Sequence, residues 1–218
     1  MKKTAGASDT LVVYVHGLWL NGSESLILRQ RLARLTGWPS VSFRYRSVTQ
    51  PLAQIVAALG QFVASQSART VHLIGHSLGG LVIYRLLEAE EPAQPGAVVW
   101  LGTPAVKSGT ALQLGSRRWA APLLGSAVAE ELLAPRQRHW RSGRALGIIA
   151  GTHAVGLGRL FSRIEEPSDG TVAVSETRLP GATDHLTLPV SHTGMLLSAR
   201  VAEQTAAFLR EGHFSLRP

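Results

Sequence analysis

Short runs of apolar, largely β-branched residues alternate along the chain with longer stretches in which apolar positions recur every three or four residues. The short runs are LVVYV (11–15), SVSFR (40–44), TVHLI (70–74), AVVWL (97–101), LGIIA (146–150) and HLTLPV (185–190). The amphipathic stretches cover roughly 23–35, 51–66, 78–90 and 194–210, and in the second Leu52, Ile55, Val56, Leu59 and Val63 share one face. Near-continuous apolar runs separated by helical periodicity predict strands buried on both faces and joined by crossover helices. The strand-to-strand spacing of about 30 residues suits βαβ units. The expectation is an α/β fold of about six mostly parallel strands with helices on both faces.

One interval breaks this rhythm. The stretch between the runs at 97–101 and 146–150 is longer than a single crossover helix uses, and a structureless loop of that size would be unusual. Residues 105–145 therefore read as a helical cap inserted over one edge of the sheet, within a single domain spanning 1–218. The cap carries Lys107, Arg117, Arg118, Arg136, Arg138, Arg141 and Arg144 against Glu130 and Glu131, so much of the chain's net charge of +8 is concentrated there. Such an excess suits an anionic substrate, a phospholipid surface or simple solvation. Trp119 and Trp140 read as aromatic anchors of the kind found at pockets or membrane surfaces. Nucleic acid is not expected as a partner, because the basic residues accompany no reading motif.

Absence of cysteine excludes disulfides, a cysteine nucleophile and thiolate metal sites. No metal or other cofactor is expected, since the histidines and carboxylates form no spacing such as HExxH and no phosphate-binding glycine loop occurs. No apolar run reaches the ~18 residues of a membrane helix. The basic start MKKTA is followed by GASDT rather than an apolar stretch, so the expected location is cytoplasmic.

The candidate chemistry lies in HLIGHSLGG (72–80). Here Ser77 falls on the single turn between a predicted buried strand and a predicted helix. A sharp strand-to-helix turn brings together the backbones on either side of the exposed residue, which explains Gly75 and Gly79. The helix that follows adds partial positive charge where an oxyanion would form. A serine held this way is a candidate nucleophile.

With these residues the chain resembles the α/β-hydrolase superfamily, and especially bacterial lipases and esterases with a GHSLGG elbow. VYVHGLW (13–19), IGHSLGGL (74–81), LGTPAVKSG (101–109), SDGTVAV (168–174) and VSHTGM (190–195) carry the resemblance, which runs from about 11 to 210. The resemblance implies the chain order Ser, acid, His. By it, His192, after the last predicted strand, is the general base, with His153 as rival. Asp169 matches the family's aspartate, with Glu165 and Glu166 as alternatives; Asp184 stands at the amino end of its predicted strand, on the wrong edge. The family's oxyanion hole maps onto the backbone N–H groups of Leu18 and Leu78. Trp19, His76, Thr103 and His153 are expected to contact substrate.

The implied activity is that of a serine esterase or lipase acting on a small acyl ester or lipid through an acyl-enzyme. A thioesterase or acyltransferase would use the same groups, and a GPI-inositol-deacylase-like lipase fits the combination GHSLGG…GTP. The alternative of another class is a catalytically silent binding protein on this fold.

Overall fold

The structure is a computed structural model that describes residues 9–105, 137–154 and 167–216. Its centre is a six-stranded sheet of β1 (Thr10–Val15), β2 (Ser40–Phe43), β3 (Thr70–His76), β4 (Val98–Leu101), β5 (Leu146–Gly151) and β6 (Asp184–Leu188). The strands lie in the order β2-β1-β3-β4-β5-β6, and every neighbouring pair is parallel. This is the expected α/β architecture, and all six predicted strands occur. β3 is longer than its apolar run suggested, because Gly75 and His76 keep pairing with Trp100 and Leu101.

Alternation along the central strands divides the core. Val13, Val15, Leu73, Trp100 and Ile148 point to one face, where α2 (Leu52–Ala64) and α3 (Leu78–Ala89) cover them with Ile55, Leu59, Val63, Leu81 and Ile83. Val12, Tyr14, Ile74, Val99 and Ile149 point to the other, covered by Leu28 and Leu32 of α1 (Leu26–Thr36) and by Val201 and Phe208 of α4 (Ala199–Glu211). At ~25 cal/mol per Å² this two-sided burial is the principal force holding the sheet between its helices.

Local signals set the helix ends. α1 stops at Gly37, whose φ of 76° lies in the left-handed region open to glycine. The last amphipathic stretch divides: Gly194–Leu197 forms a 3₁₀ turn, Ser198 adopts an extended conformation, and its side chain then caps α4 by accepting from the Val201 N–H at 3.3 Å.

Of the expected cap, only Ala105 and residues 137–145 are described, and the latter depart from expectation. Trp140, read as an anchor at a pocket or membrane surface, is buried, packed edge-on against Trp100 at 6.0 Å with its indole N–H donating to the Arg144 carbonyl at 2.7 Å. Arg138 and Arg144 are buried as well. Arg138 donates to the Ala105 carbonyl, and Arg144 donates to the carbonyls of Val71, Pro92 and Gln94 and pairs with Glu91. Two of the arginines assigned to a basic outer surface thus hold backbone together inside the fold. Lys107, Arg117, Arg118, Trp119 and Arg136 lie outside the described residues.

Candidate active site

The chain runs outward from β1 to the edge strand β2 and returns past β1 to β3, so the strand order reverses between β1 and β3. In parallel sheets the crevice beyond the carboxyl ends of the strands at such a reversal is where ligands bind. Two segments enter it here: the loop His16–Leu20 after β1, and the turn from β3 into α3.

Ser77 makes that turn alone, with φ 53° and ψ −122°. A positive φ is costly for any residue with a Cβ, by ~1–3 kcal/mol, and persists where its surroundings over-determine it. Those surroundings are visible. The Ser77 N–H donates to the Leu101 carbonyl at 2.9 Å, and the Ser77 carbonyl accepts from the Thr103 hydroxyl at 2.9 Å. The turn also requires glycine on both sides: a Cβ on Gly75 would stand 2.4 Å from Gly80 Cα, and one on Gly79 would stand 2.1 Å from the Val15 carbonyl oxygen.

Beside the turn, His192 Nδ1 and Asp169 Oδ2 are 2.6 Å apart. A carboxylate can only accept, so Nδ1 carries the proton and Nε2 of the neutral ring keeps its lone pair. Asp169 is 1% exposed, yet its charge is well satisfied: Oδ1 accepts from the N–H groups of Thr171 at 2.8 Å and Val172 at 2.7 Å. The backbones are tied too, the His192 N–H donating to the Asp169 carbonyl at 3.0 Å. Gly102, with φ +57°, adjoins the Leu101 carbonyl that holds Ser77. A Cβ there would lie 2.9 Å from Asp169 Oδ2 and 3.0 Å from His192 Nδ1, which shows how closely the pair abuts the serine's own support.

Leu78 opens α3 and Leu18 lies in the loop after β1. Neither backbone N–H donates to an acceptor among the described residues. A Cβ on Gly17 would stand 3.1 Å from Ser77 Cβ, so the residue preceding Leu18 passes directly over the serine. Trp19 is 59% exposed and shares with Ser77 the only positive φ among described non-glycine residues.

His76 and Thr103, expected to face substrate, lie beneath the site instead. Thr103 is fully buried, and its hydroxyl is committed to Ser77. His76 is 1% exposed; its Nε2–H donates to the His192 carbonyl at 3.1 Å, and its ring packs at 4.8 Å against that of His192. Burial, with the His192 ring beside it, pushes its pKa down to about 3, so it is neutral at working pH. Alternation along β3 is the signal that could have shown this: His76 shares the face of Ile74, which is the α4 side. His16 is buried and stacks on Tyr45 at 4.1 Å.

His153 is exposed, its N–H bonded to the Val190 carbonyl, and among the described residues its ring has no carboxylate partner such as His192 has. Asp184 begins β6, where it accepts from the N–H of Phe214 at 2.8 Å, at the edge of the sheet opposite to Ser77. Glu165 and Glu166 lie outside the described residues. Among the described residues no three His or acidic side chains gather as metal ligands would, and no helix is long and apolar enough to cross a membrane.

A parallel sheet with a single serine on the β3–α3 turn, an Asp–His pair beside it and a loop arching over it is the layout of an α/β hydrolase. The sequence agrees: the model of the Alpha/beta hydrolase family matches residues 12–210, and the chain belongs to that family. No protein of curated function matches it. Among solved structures it is similar to the Bacillus licheniformis lipase BlEst2 in propeptide form, at 19% identity and TM-score 0.66, over 89% of this chain and 48% of the lipase. It is similar also to the pyrethroid hydrolase PytH (15% identity, TM-score 0.66, 93% of this chain and 98% of that one). A third is the type II thioesterase BorB from the borrelidin biosynthetic cluster (14% identity, TM-score 0.64, 96% and 94%). At such identities the likeness is one of fold. The chain spans under half the length of BlEst2 and of the phospholipase PlaB from Legionella pneumophila, 48% and 45%.

Proposed function

We propose that this protein is a serine hydrolase of carboxylic esters, with Ser77, His192 and Asp169 as its triad. The observation that carries the proposal is the 2.6 Å Asp169–His192 hydrogen bond beside a serine held at φ 53° on the strand-to-helix turn. Ser77 Oγ attacks the acyl carbonyl while His192 Nε2 takes its proton, and Asp169 stabilises the imidazolium and holds its orientation. The uncommitted N–H groups of Leu18 and Leu78 bind the oxyanion. His192 then passes the proton to the leaving alcohol, and an acyl-enzyme remains. Water, deprotonated by the same imidazole, attacks the ester carbon, releases the acid and restores Ser77. His76 supports this cycle by staying neutral, so the imidazolium forms without a second charge at its back. The substrate class is a small acyl ester or lipid.

Labelling with a fluorophosphonate tests the proposal directly. Wild type should be modified at Ser77, and Ser77→Ala should not. A folded wild type that stays unlabelled across neutral and alkaline pH would sink the enzymatic reading and favour a binding role for the fold. A panel of esters of increasing acyl length, with the matching thioesters, then distinguishes esterase, lipase and thioesterase by kcat/KM.

A further inference from the structure

We propose that Ser47 is a positioning residue for the oxyanion site, clamping the loop that presents Leu18; the inference rests on the serine-hydrolase reading above. The loop after β1 has to leave the strand, turn over Ser77 and hold the Leu18 N–H toward it. It does so with Trp19 at φ 60°, a conformation that a bulky residue disfavours. Trp19 is 59% exposed, and its backbone N–H is held from the neighbouring segment.

That grip comes from the segment just after β2, the strand that pairs with β1. The Trp19 N–H donates to Ser47 Oγ at 3.0 Å, and Ser47 is 4% exposed. Two residues earlier, Tyr45 holds the start of the same loop: its hydroxyl donates to the His16 carbonyl at 2.7 Å, its N–H donates to His16 Nε2 at 3.3 Å, and the two rings stack at 4.1 Å. With Nε2 accepting, His16 Nδ1 carries the proton and donates to the Gly17 carbonyl at 2.8 Å. His16, Gly17 and Trp19 are therefore each tied, while the Leu18 N–H between them has no acceptor among the described residues. Ser47 suits the task because it places one small acceptor in a buried position. Without it the Trp19 amide loses its partner, φ relaxes toward the ordinary negative range, and the Leu18 peptide is carried away from the oxyanion.

The test is kinetic, on a soluble p-nitrophenyl ester, beginning with unmodified wild type that turns the ester over and whose separate aliquot takes the fluorophosphonate label. Ser47→Ala should lower kcat by about 10- to 100-fold, short of the ~10²–10³-fold for deleting an oxyanion donor outright, with KM changed by less than about threefold. Ser47→Thr, which keeps the hydroxyl, should recover most of the loss. Ser47→Val, of the same shape without it, should not. Equal kcat in the Thr and Val variants, or a change in KM alone, overturns the role of Ser47 while leaving the triad standing. Should Ala and Val fail to fold by thermal melting, Ser47→Cys, a weaker acceptor of nearly equal size, takes their place, and wild-type kcat in it is equally fatal. A wild type that neither labels nor turns over removes the hydrolase reading and this inference together.

Discussion

Within the proposed triad, the acid and its neighbours have distinct roles that substitution can separate. Asp169→Asn keeps the size of the side chain and removes the charge that fixes the His192 tautomer, so kcat should fall by about 10³–10⁴-fold with the fold intact. Activity equal to wild type would direct attention to Glu165 or Glu166. Gly102→Ala probes the same pair sterically: its Cβ would press on Asp169 Oδ2 and His192 Nδ1, at a φ of +57° that already disfavours alanine. A larger loss of kcat than of thermal stability is the expected result. The turn at Ser77 and the proximity of Asp169 to His192 were legible in the sequence because each residue belongs to a motif in which residue type and turn geometry are inseparable. His76 and Thr103 were expected to contact substrate, and both are buried, because a motif gives adjacency and not exposure. Their burial had two traces: the alternation that turns His76 toward α4, and the missing Cβ of Gly80, where an added carbon would meet Thr103 Oγ1 at 2.2 Å.

Among the elements, strands were read more securely than what joins them. A parallel strand buried on both faces leaves a near-continuous apolar signature, as β1, β3, β4 and β5 do, whereas the half-buried edge strands β2 and β6 left the more mixed runs SVSF and DHLTL. The limits of the sequence appear where a charged or aromatic residue has a structural purpose. Arg144 read as part of a basic cap, yet it lies 4% exposed among three backbone carbonyls near the amino end of the sheet, with Glu91 as its ion-pair partner. Arg144→Met should lower stability by about 2–3 kcal/mol, because those carbonyls lose donors that water cannot replace; denaturant midpoints measure it. A change within error would return Arg144 to the solvated surface. At the elbow, Gly79→Ala should destabilise by about 2–3 kcal/mol, since the 2.1 Å approach is to the backbone oxygen of Val15 in a central strand, which cannot move aside as a side chain can.

For the molecule as a whole, the distribution of its histidines predicts how stability changes with pH. His72 and His76 are buried in the sheet, and burial, reinforced for His72 by the Arg144 guanidinium and for His76 by His192, pushes their pKa values down to about 4 and about 3. Burial lowers those of His16 and His185 also. In the unfolded chain each titrates near 6.5, so below that pH the unfolded state binds protons that the folded state refuses. Their contribution is complete above about pH 6.5 and is lost as the pH falls toward 4 and then 3, and a chain of net charge +8 gains further self-repulsion over the same range. Urea midpoints should therefore decline steeply from pH 6.5 to 4. His72→Asn isolates one share of that slope, because its amide oxygen can still accept from the Ala97 N–H that His72 Nδ1 holds at 2.9 Å, while nothing remains to titrate. The variant should lose less stability than wild type over that interval, whatever its midpoint at neutral pH. Parallel slopes would mean that His72 gains its proton as readily in the fold as outside it, and that the acid sensitivity resides elsewhere.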